Sequence, residues 1–370
     1  MNKTIKFTEI NPIKKFELEQ IKKDISKTIN KGDFILGQAV SNFEHNFSKI
    51  SKIKYSVGCA SGTDALILAL MSLNLKSDDE IIVPGMTYIS TGLSVILNNN
   101  KLVLVDIDKE TGLISLNQIK KKITKKTKAI IPVNLYGQRI DLKRLRKIVG
   151  KKIFIVEDSA QSILAFNKND KKLFSNNISD ISCYSFYPAK NLGAFGDGGL
   201  VATNNPILYK KLLALRNLGS IKKNDHFLIG INSRLDTIQS VVLNKKLKTL
   251  LKMNLRRRNI GRLYDKLLKP IREIKLTKTN EGSSRHLYVI RTKKRNKLIN
   301  FLRNKGISTQ MHYPYSLNKL KAFRNKFKKT ALKNSELWAK ECLSLPIHPN
   351  LKKNELLYIV SQIKNFFNYT

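Results

Sequence analysis

Cysteine is scarce in this chain of 370 residues: Cys59, Cys183 and Cys342 are its only thiols, and no two of them stand at CxxC spacing. That count excludes a disulfide framework and a structural zinc ribbon. The five histidines, His45, His226, His286, His312 and His348, are equally dispersed and form no metal-ligand spacing. A reducing compartment and no bound metal are therefore expected. Long apolar runs are missing as well. The longest stretch, residues 65–75, contains Ser72 and Asn74 and is too short to span a bilayer, while the polar start MNKTIKFTEINP lacks the apolar heart of a secretion signal. A cytosolic protein without a membrane partner is expected. Neither an internal repeat nor a low-complexity linker is evident.

Acidic residues are also few, 27 Asp+Glu against 69 Lys+Arg, for a formal charge of +42. Such an imbalance raises the question of an anionic partner: nucleic acid, a membrane or a phosphorylated metabolite. The basic residues are not gathered into one arm. Short clusters such as Lys120-Lys121-Lys122, Lys125-Lys126, Arg256-Arg257-Arg258 and Lys328-Lys329 are scattered amid many Asn and Ile. This distribution reads as a compositional bias on a solvated surface, so no nucleic-acid partner is expected. At 42% hydrophobic residues the chain can build a large core and roughly two domains.

Between about residues 55 and 220, short β-rich runs alternate with helical stretches, the pattern of a mostly parallel sheet covered by helices. Strands are expected at 80–83, 102–107, 129–133, 153–157, 181–186 and 199–202, and helices at 63–75, 116–123, 141–149 and 206–218. Asp141 is placed to cap its helix with Gly150 just past the end, and Pro206 sits where a first-turn proline is tolerated. After Arg234 a long basic helical run reaches about Leu268 and reads as a connector. Strands at 287–290 and 307–310, and helices at 295–304, 335–342 and 354–366, then complete a smaller α+β unit. The division predicted is a large domain over residues 1–245, including an N-terminal arm, and a small domain over 246–370.

Three stretches carry chemistry. Ser61-Gly62-Thr63-Asp64 runs into an apolar helix, so Gly62 and Thr63 present backbone N–H groups at a helix N-terminus, which suits an anion; an ordinary cap by Ser61 or Thr63 fits equally. Glu157-Asp158 ends an apolar strand at the edge where parallel sheets bind ligands. A buried aspartate there needs a cation, which a protonated pyridine nitrogen supplies, although a simple helix cap also explains it. The third stretch, Ser185 to Gly199, sets Lys190 after a strand and Pro188 and before four glycines (193, 196, 198 and 199). The backbone is thereby forced into a close approach around one amine. Lysine is the residue that forms an imine with an aldehyde, and its pKa falls readily on burial.

SGTDALILAL, VEDSAQS, YSFYPAKNLGAFGDGG and GINSRLDTIQ, in that order and at these separations, resemble the DegT/DnrJ/EryC1/StrS sugar aminotransferases. The likeness runs from about Phe34 to Pro349. It implies an α/β fold of the aspartate-aminotransferase type (PLP fold type I), with a mostly parallel central sheet in the large domain and a smaller α+β C-terminal domain. It further implies pyridoxal 5'-phosphate (PLP) as cofactor, held covalently by Lys190, which also shuttles the proton. By the same resemblance Asp158 pairs with the ring nitrogen and Gln161 neighbours the phenolic oxygen. Gly62, Thr63 and Ser185 form the phosphate cup, and Tyr88 stacks on the ring. Asn232 reaches the phosphate of the neighbouring subunit, which implies a homodimer with shared sites.

The stretch Gly306 to Pro314 is similar to the segment, often ending in HYP, of members that aminate C-3 of a nucleotide-linked keto-sugar. Tyr187, His312 and Tyr313 are then candidate sugar contacts, with closure of the domain interface as the other role for His312 and Tyr313. The expected reaction moves an amino group from an amino acid, glutamate above all, to that sugar, for a surface polysaccharide or a glycosylated metabolite. Amination at C-4, or a dehydratase of the same fold, are the alternatives; such dehydratases usually carry His in place of the lysine. A non-catalytic regulatory or nucleic-acid-binding protein, suggested by the charge, conflicts with the intact Lys190, Asp158 and Gln161 set. The chain departs from many relatives at Asn134, where they have His, and at Ser316-Leu317-Asn318, where they have Pro-Leu-His.

Overall fold

The computed structural model describes residues 4–10, 13–166, 178–323, 325–327 and 330–369. The Lys328-Lys329 cluster lies outside them, as does part of the polar N-terminal stretch. Among the described residues, seven strands form the central sheet: β1 (Tyr55–Cys59), β2 (Glu80–Pro84), β3 (Lys101–Val105), β4 (Thr127–Ile130), β5 (Phe154–Asp158), β6 (Ile181–Ser185) and β7 (Gly199–Thr203). Their order is β1-β7-β6-β5-β4-β2-β3, and β7 alone runs against the others. Six expected strands are present with ends shifted by one to three residues; β1 is an addition.

Helices cover both faces, which is why these strands are short apolar runs instead of alternating ones. The covering helices are α1 (Lys15–Lys31), α2 (Gln38–Ser51), α3 (Gly62–Ser72), α4 (Ile89–Leu97), α5 (Leu116–Lys122), α6 (Leu142–Val149), α7 (Pro206–Leu215) and α8 (Thr237–Leu247). Successive residues of a strand go to opposite sides: Ile81 and Val83 join α3 and α4 in one core, and Ile82 joins α5 and α6 in another. The punctuation operates as written, since Asp141 accepts a bond from the Arg144 N–H and Asn205 caps the helix that Pro206 opens. The basic run after Arg234 is two helices, α8 and α9 (Leu250–Leu268), broken at Lys248 and Thr249.

A hairpin of β8 (Ser220–Lys222) and β9 (Asp225–His226) precedes a second unit, in which β10 (Lys275–Leu276), β11 (Tyr288–Arg291) and β12 (Cys342–Leu345) form an antiparallel sheet. Its core is shared by α9, α10 (Arg295–Asn304) and α12 (Lys353–Phe366), while α11 (Lys333–Glu341) brings Trp338 against β11. The expected strand at 307–310 is a correction: Ile307 and Gln310 make only single bridges, to Ile5 and Ser344. Helix α11 ends at Glu341 because Cys342 is already extended and pairs with Arg291. The N-terminal residues pack on this second unit, with Ile5 in its core and Phe7 stacked on His312 at 5.7 Å. No helix among the described residues is long and apolar enough to cross a membrane.

Candidate active site

The parallel strands deliver their C-terminal ends to one edge of the sheet, where ligands of such folds bind. A cavity of about 600 Å³ opens there. It is walled by the turns after β1, β2, β5 and β6 and, from the second unit, by His286, Gln310, His312 and Tyr313. Of the residues singled out by sequence, Gly62, Thr63, Tyr88, Asp158, Gln161, Ser185, Tyr187, Lys190, His312 and Tyr313 all line it. Asn232 does not. It is exposed, and its backbone bridges to Asn217 beyond the cavity wall.

Strand alternation separates the acidic pair. Glu157 turns to the far face, where it binds the Arg139 guanidinium at 3.2 Å and the Asn134 amide at 2.6 Å, a wholly structural use. Asp158 turns into the cavity, where Oδ2 accepts from the Thr91 hydroxyl at 2.9 Å and Oδ1 from the Ala160 N–H at 3.2 Å. Burial raises its pKa, and those bonds and Lys190 oppose the rise. An anionic Asp158 is thus short of one cationic partner. Lys190 is half-buried in a turn closed by its own N–H to the Tyr187 carbonyl at 2.8 Å. Burial pulls its amine down to about 8, with Asp158 opposing. Near neutral pH it therefore exposes an appreciable fraction of nucleophilic amine.

Ser61 does cap α3, accepting from the Asp64 N–H at 3.0 Å, and a cap of this kind leaves an anion at the same terminus compatible with it. Gly62 is there for space: a Cβ on it would lie 2.5 Å from the Ser185 Cβ. The first N–H groups of α3, the Ser185 hydroxyl and the Thr63 hydroxyl, 2.7 Å from Ser90 Oγ, make a donor-rich cup. Tyr88, more than half exposed, stands at the start of α4, with its ring 5.7 Å from that of Tyr313. The set fits PLP: a reactive amine, a buried carboxylate short of a cation, an anion cup and an aromatic plate.

Gln161 uses both ends of its amide, accepting from the Tyr136 N–H at 2.7 Å and donating to Tyr313 Oη at 2.9 Å. His312 binds Ser344 Oγ through Nδ1 at 2.8 Å, and burial, then Lys190, lowers its pKa to about 4, so it is neutral. The departures at Asn134 and Ser316-Leu317-Asn318 are structural. Asn134 Oδ1 accepts from the Ile140 N–H, and the Asn318 amide donates to Glu336 and to the Thr330 carbonyl. Sequence reasoning missed Thr91, Tyr136, His286 and Phe7. Thr91, three residues after Tyr88 at the start of α4, had a spacing signal; the others depend on long-range packing.

Fold and cavity together define a PLP-dependent enzyme of the aspartate-aminotransferase fold, an aminotransferase. The chain belongs to the DegT/DnrJ/EryC1/StrS aminotransferase family, whose model matches residues 16–364. It is 36% identical to a pleiotropic regulatory protein of Geobacillus stearothermophilus, over 95% of this chain and 97% of that one. To the UDP-2-acetamido-2-deoxy-3-oxo-D-glucuronate aminotransferase of Pseudomonas aeruginosa it is 35% identical, over 94% and 96%. Among solved structures, DesV of S. venezuelae in complex with a ketimine intermediate superposes with a TM-score of 0.95 at 32% identity, covering 100% of both chains. NtdA of Bacillus subtilis with bound cofactor PMP gives 0.89 at 27%, covering 98% of this chain and 86% of that one.

Proposed function

We propose that this enzyme moves the amino group of L-glutamate to C-3 of a keto-sugar carried on a nucleoside diphosphate, in two half-reactions sharing one cavity. The observation that supports it best is the pairing of a lysine amine near 8 with a buried Asp158 in one cavity of about 600 Å³, walled by both units and roomy enough for cofactor and sugar. The 35% identity to an enzyme named for a 3-oxo UDP-sugar favours C-3.

In this reading Lys190 Nζ holds the cofactor and, once displaced, carries the proton between the substrate carbon and the cofactor. Asp158 keeps the ring nitrogen protonated. Bound PLP supplies the electron sink for the carbanion. Gly62, Thr63 and Ser185 bind the phosphate, Tyr88 stacks on the ring, and Gln161 donates toward the phenolic oxygen. Tyr187, His312 and Tyr313 face the sugar. Asn232, exposed and away from its own cavity, serves the partner's phosphate in a homodimer. The unit through residue 245 holds the cofactor and the unit from 246 closes on the sugar, in the cytoplasm, for a surface polysaccharide or a glycosylated metabolite. Lys190 itself disfavours the dehydratase alternative.

A screen of nucleotide keto-sugars with glutamate, read by product mass and NMR, tests the proposal. A 3-amino product supports it. A 4-amino product corrects the regiochemistry, and amination of free sugars alone overturns the nucleotide requirement.

A further inference from the structure

Tyr136 is buried and does not itself line the cavity, yet two of its bonds reach Gln161 and His312, which do. Its backbone N–H donates to Gln161 Oε1 at 2.7 Å. Its hydroxyl donates to the His312 carbonyl at 2.5 Å and accepts from Trp338 Nε1 at 2.9 Å. The residue has φ 62° and ψ 10°, the left-handed region that a bulky aromatic adopts only when its surroundings enforce it. The next residue, Gly137, is packed so closely that a Cβ would lie 2.7 Å from the His286 nitrogen. The turn is therefore wedged against the second unit.

Those bonds fix chemistry as well as shape. Because an N–H needs an acceptor, the bond to Gln161 Oε1 settles which end of that amide is which and turns Nε2, the donor end, toward Tyr313 Oη at 2.9 Å. The His312 carbonyl is the peptide group that leads into Tyr313, so the Tyr136 hydroxyl also anchors the other end of the same bond. Burial raises the Tyr136 pKa well above its usual value, and the hydroxyl stays a donor.

We infer that Tyr136 is a positioning residue, clamping the Gln161–Tyr313 pair from both ends and thereby setting the dipoles that face Lys190 and its cofactor across the two units. It rests on the cofactor placement proposed above and requires no sugar, so it stands or falls separately from the nucleotide-sugar reading. Tyr136→Phe keeps the ring and the backbone N–H but removes the anchor on His312, which frees Tyr313.

The test uses the PLP-loaded enzyme. Trp338 is the only tryptophan in the chain, so its indole N–H gives one NMR resonance that reports the loss of the Tyr136 acceptor in a protein that stays folded. The pH midpoint of the cofactor's absorbance is then measured for Tyr136→Phe, Tyr313→Phe and the double variant. Expected are shifts of about half a pH unit or more in each single variant, with the double no further displaced than Tyr313→Phe alone. A purely structural role would lower the melting temperature and move the indole resonance while leaving the midpoint in place. That outcome overturns the inference, as do additive shifts in the double variant.

Discussion

Ser185 and Gly62 are so closely apposed that the Ser185 Cβ fills the space a side chain at position 62 would need, 2.5 Å away. The start of α3 and the end of β6 therefore meet with no slack where the phosphate cup is proposed. Gly62→Ala must push them apart. The expected result is a destabilisation of about 1–3 kcal/mol and PLP affinity weakened roughly tenfold, read by thermal melts with and without cofactor and by PLP titration. Unchanged PLP affinity in a folded variant would place the cup elsewhere.

Borohydride reduction of the purified enzyme should fix the cofactor to Lys190, because burial makes that amine nucleophilic near neutral pH. Peptide mapping locates the adduct. A stable adduct on Lys246, whose buried amine is also brought down to about 8, would move the site.

Asp158→Asn keeps the size of the side chain and can still accept from Thr91, so the fold should survive. Turnover should fall on the order of a hundredfold or more, since the ring nitrogen loses its counter-charge. Single-turnover kinetics at saturating cofactor measure this. Near-normal rates would mean that the wrong acid has been assigned.

Lys246 donates to the Gly193 carbonyl at 2.7 Å and lies 4.7 Å from the Phe195 ring, and burial lowers its pKa to about 8. A folded-state pKa below the unfolded one means that the unfolded chain binds more protons between pH 8 and 10.5. Stability must therefore rise with pH across that window, by up to about 1.4 kcal/mol per unit for this group. In urea titrations of the apoprotein, Lys246→Met should lose this part of the rise, and the contribution of Lys190 cancels in the comparison. Identical slopes in the two proteins would refute the buried-cation account.

Mixing Lys190→Ala with Asn232→Ala subunits tests the shared site. If Asn232 serves the partner, a heterodimer carries both lesions in one site and leaves the other intact. Random mixing should restore about a quarter of wild-type activity per total subunit. Confirmed exchange without recovery would assign Asn232 to its own chain.

Much of the large sheet, and ten of the residues that line the cavity, were legible because their signals are local. Apolar runs gave the strands, and Lys190 stood out by the glycines after it. Where the reading failed, the signal was ambiguous or distant. No Gly or Pro marks the break between α8 and α9, and the Leu/Lys pattern continues across it, so two helices read as one. The helix expected at 335–342 was carried one residue too far, because a short stretch such as Cys342-Leu343-Ser344-Leu345 fits either form and only pairing with β11 decides it. Residues 307–310 have strand-like composition, yet their neighbours are single bridges. Tyr136 gave no signal at all, since its partners Gln161, His312 and Trp338 are assembled by the tertiary fold.

The one reversed strand, β7, has a consequence for the order of assembly. Gly199 at its start faces Ser185 on one side and Cys59 on the other, so the loop carrying Lys190 leaves and re-enters the sheet on a single rung. The β6–β7 pairing is a sequence-local hairpin, whereas β1 must close from far up the chain, and local contacts form sooner. The lysine loop thus has both feet planted before the helix that would receive the phosphate is docked beside it. Cofactor capture during refolding should accordingly lag behind hairpin protection in pulse-labelled hydrogen exchange; capture that precedes protection would reverse the order.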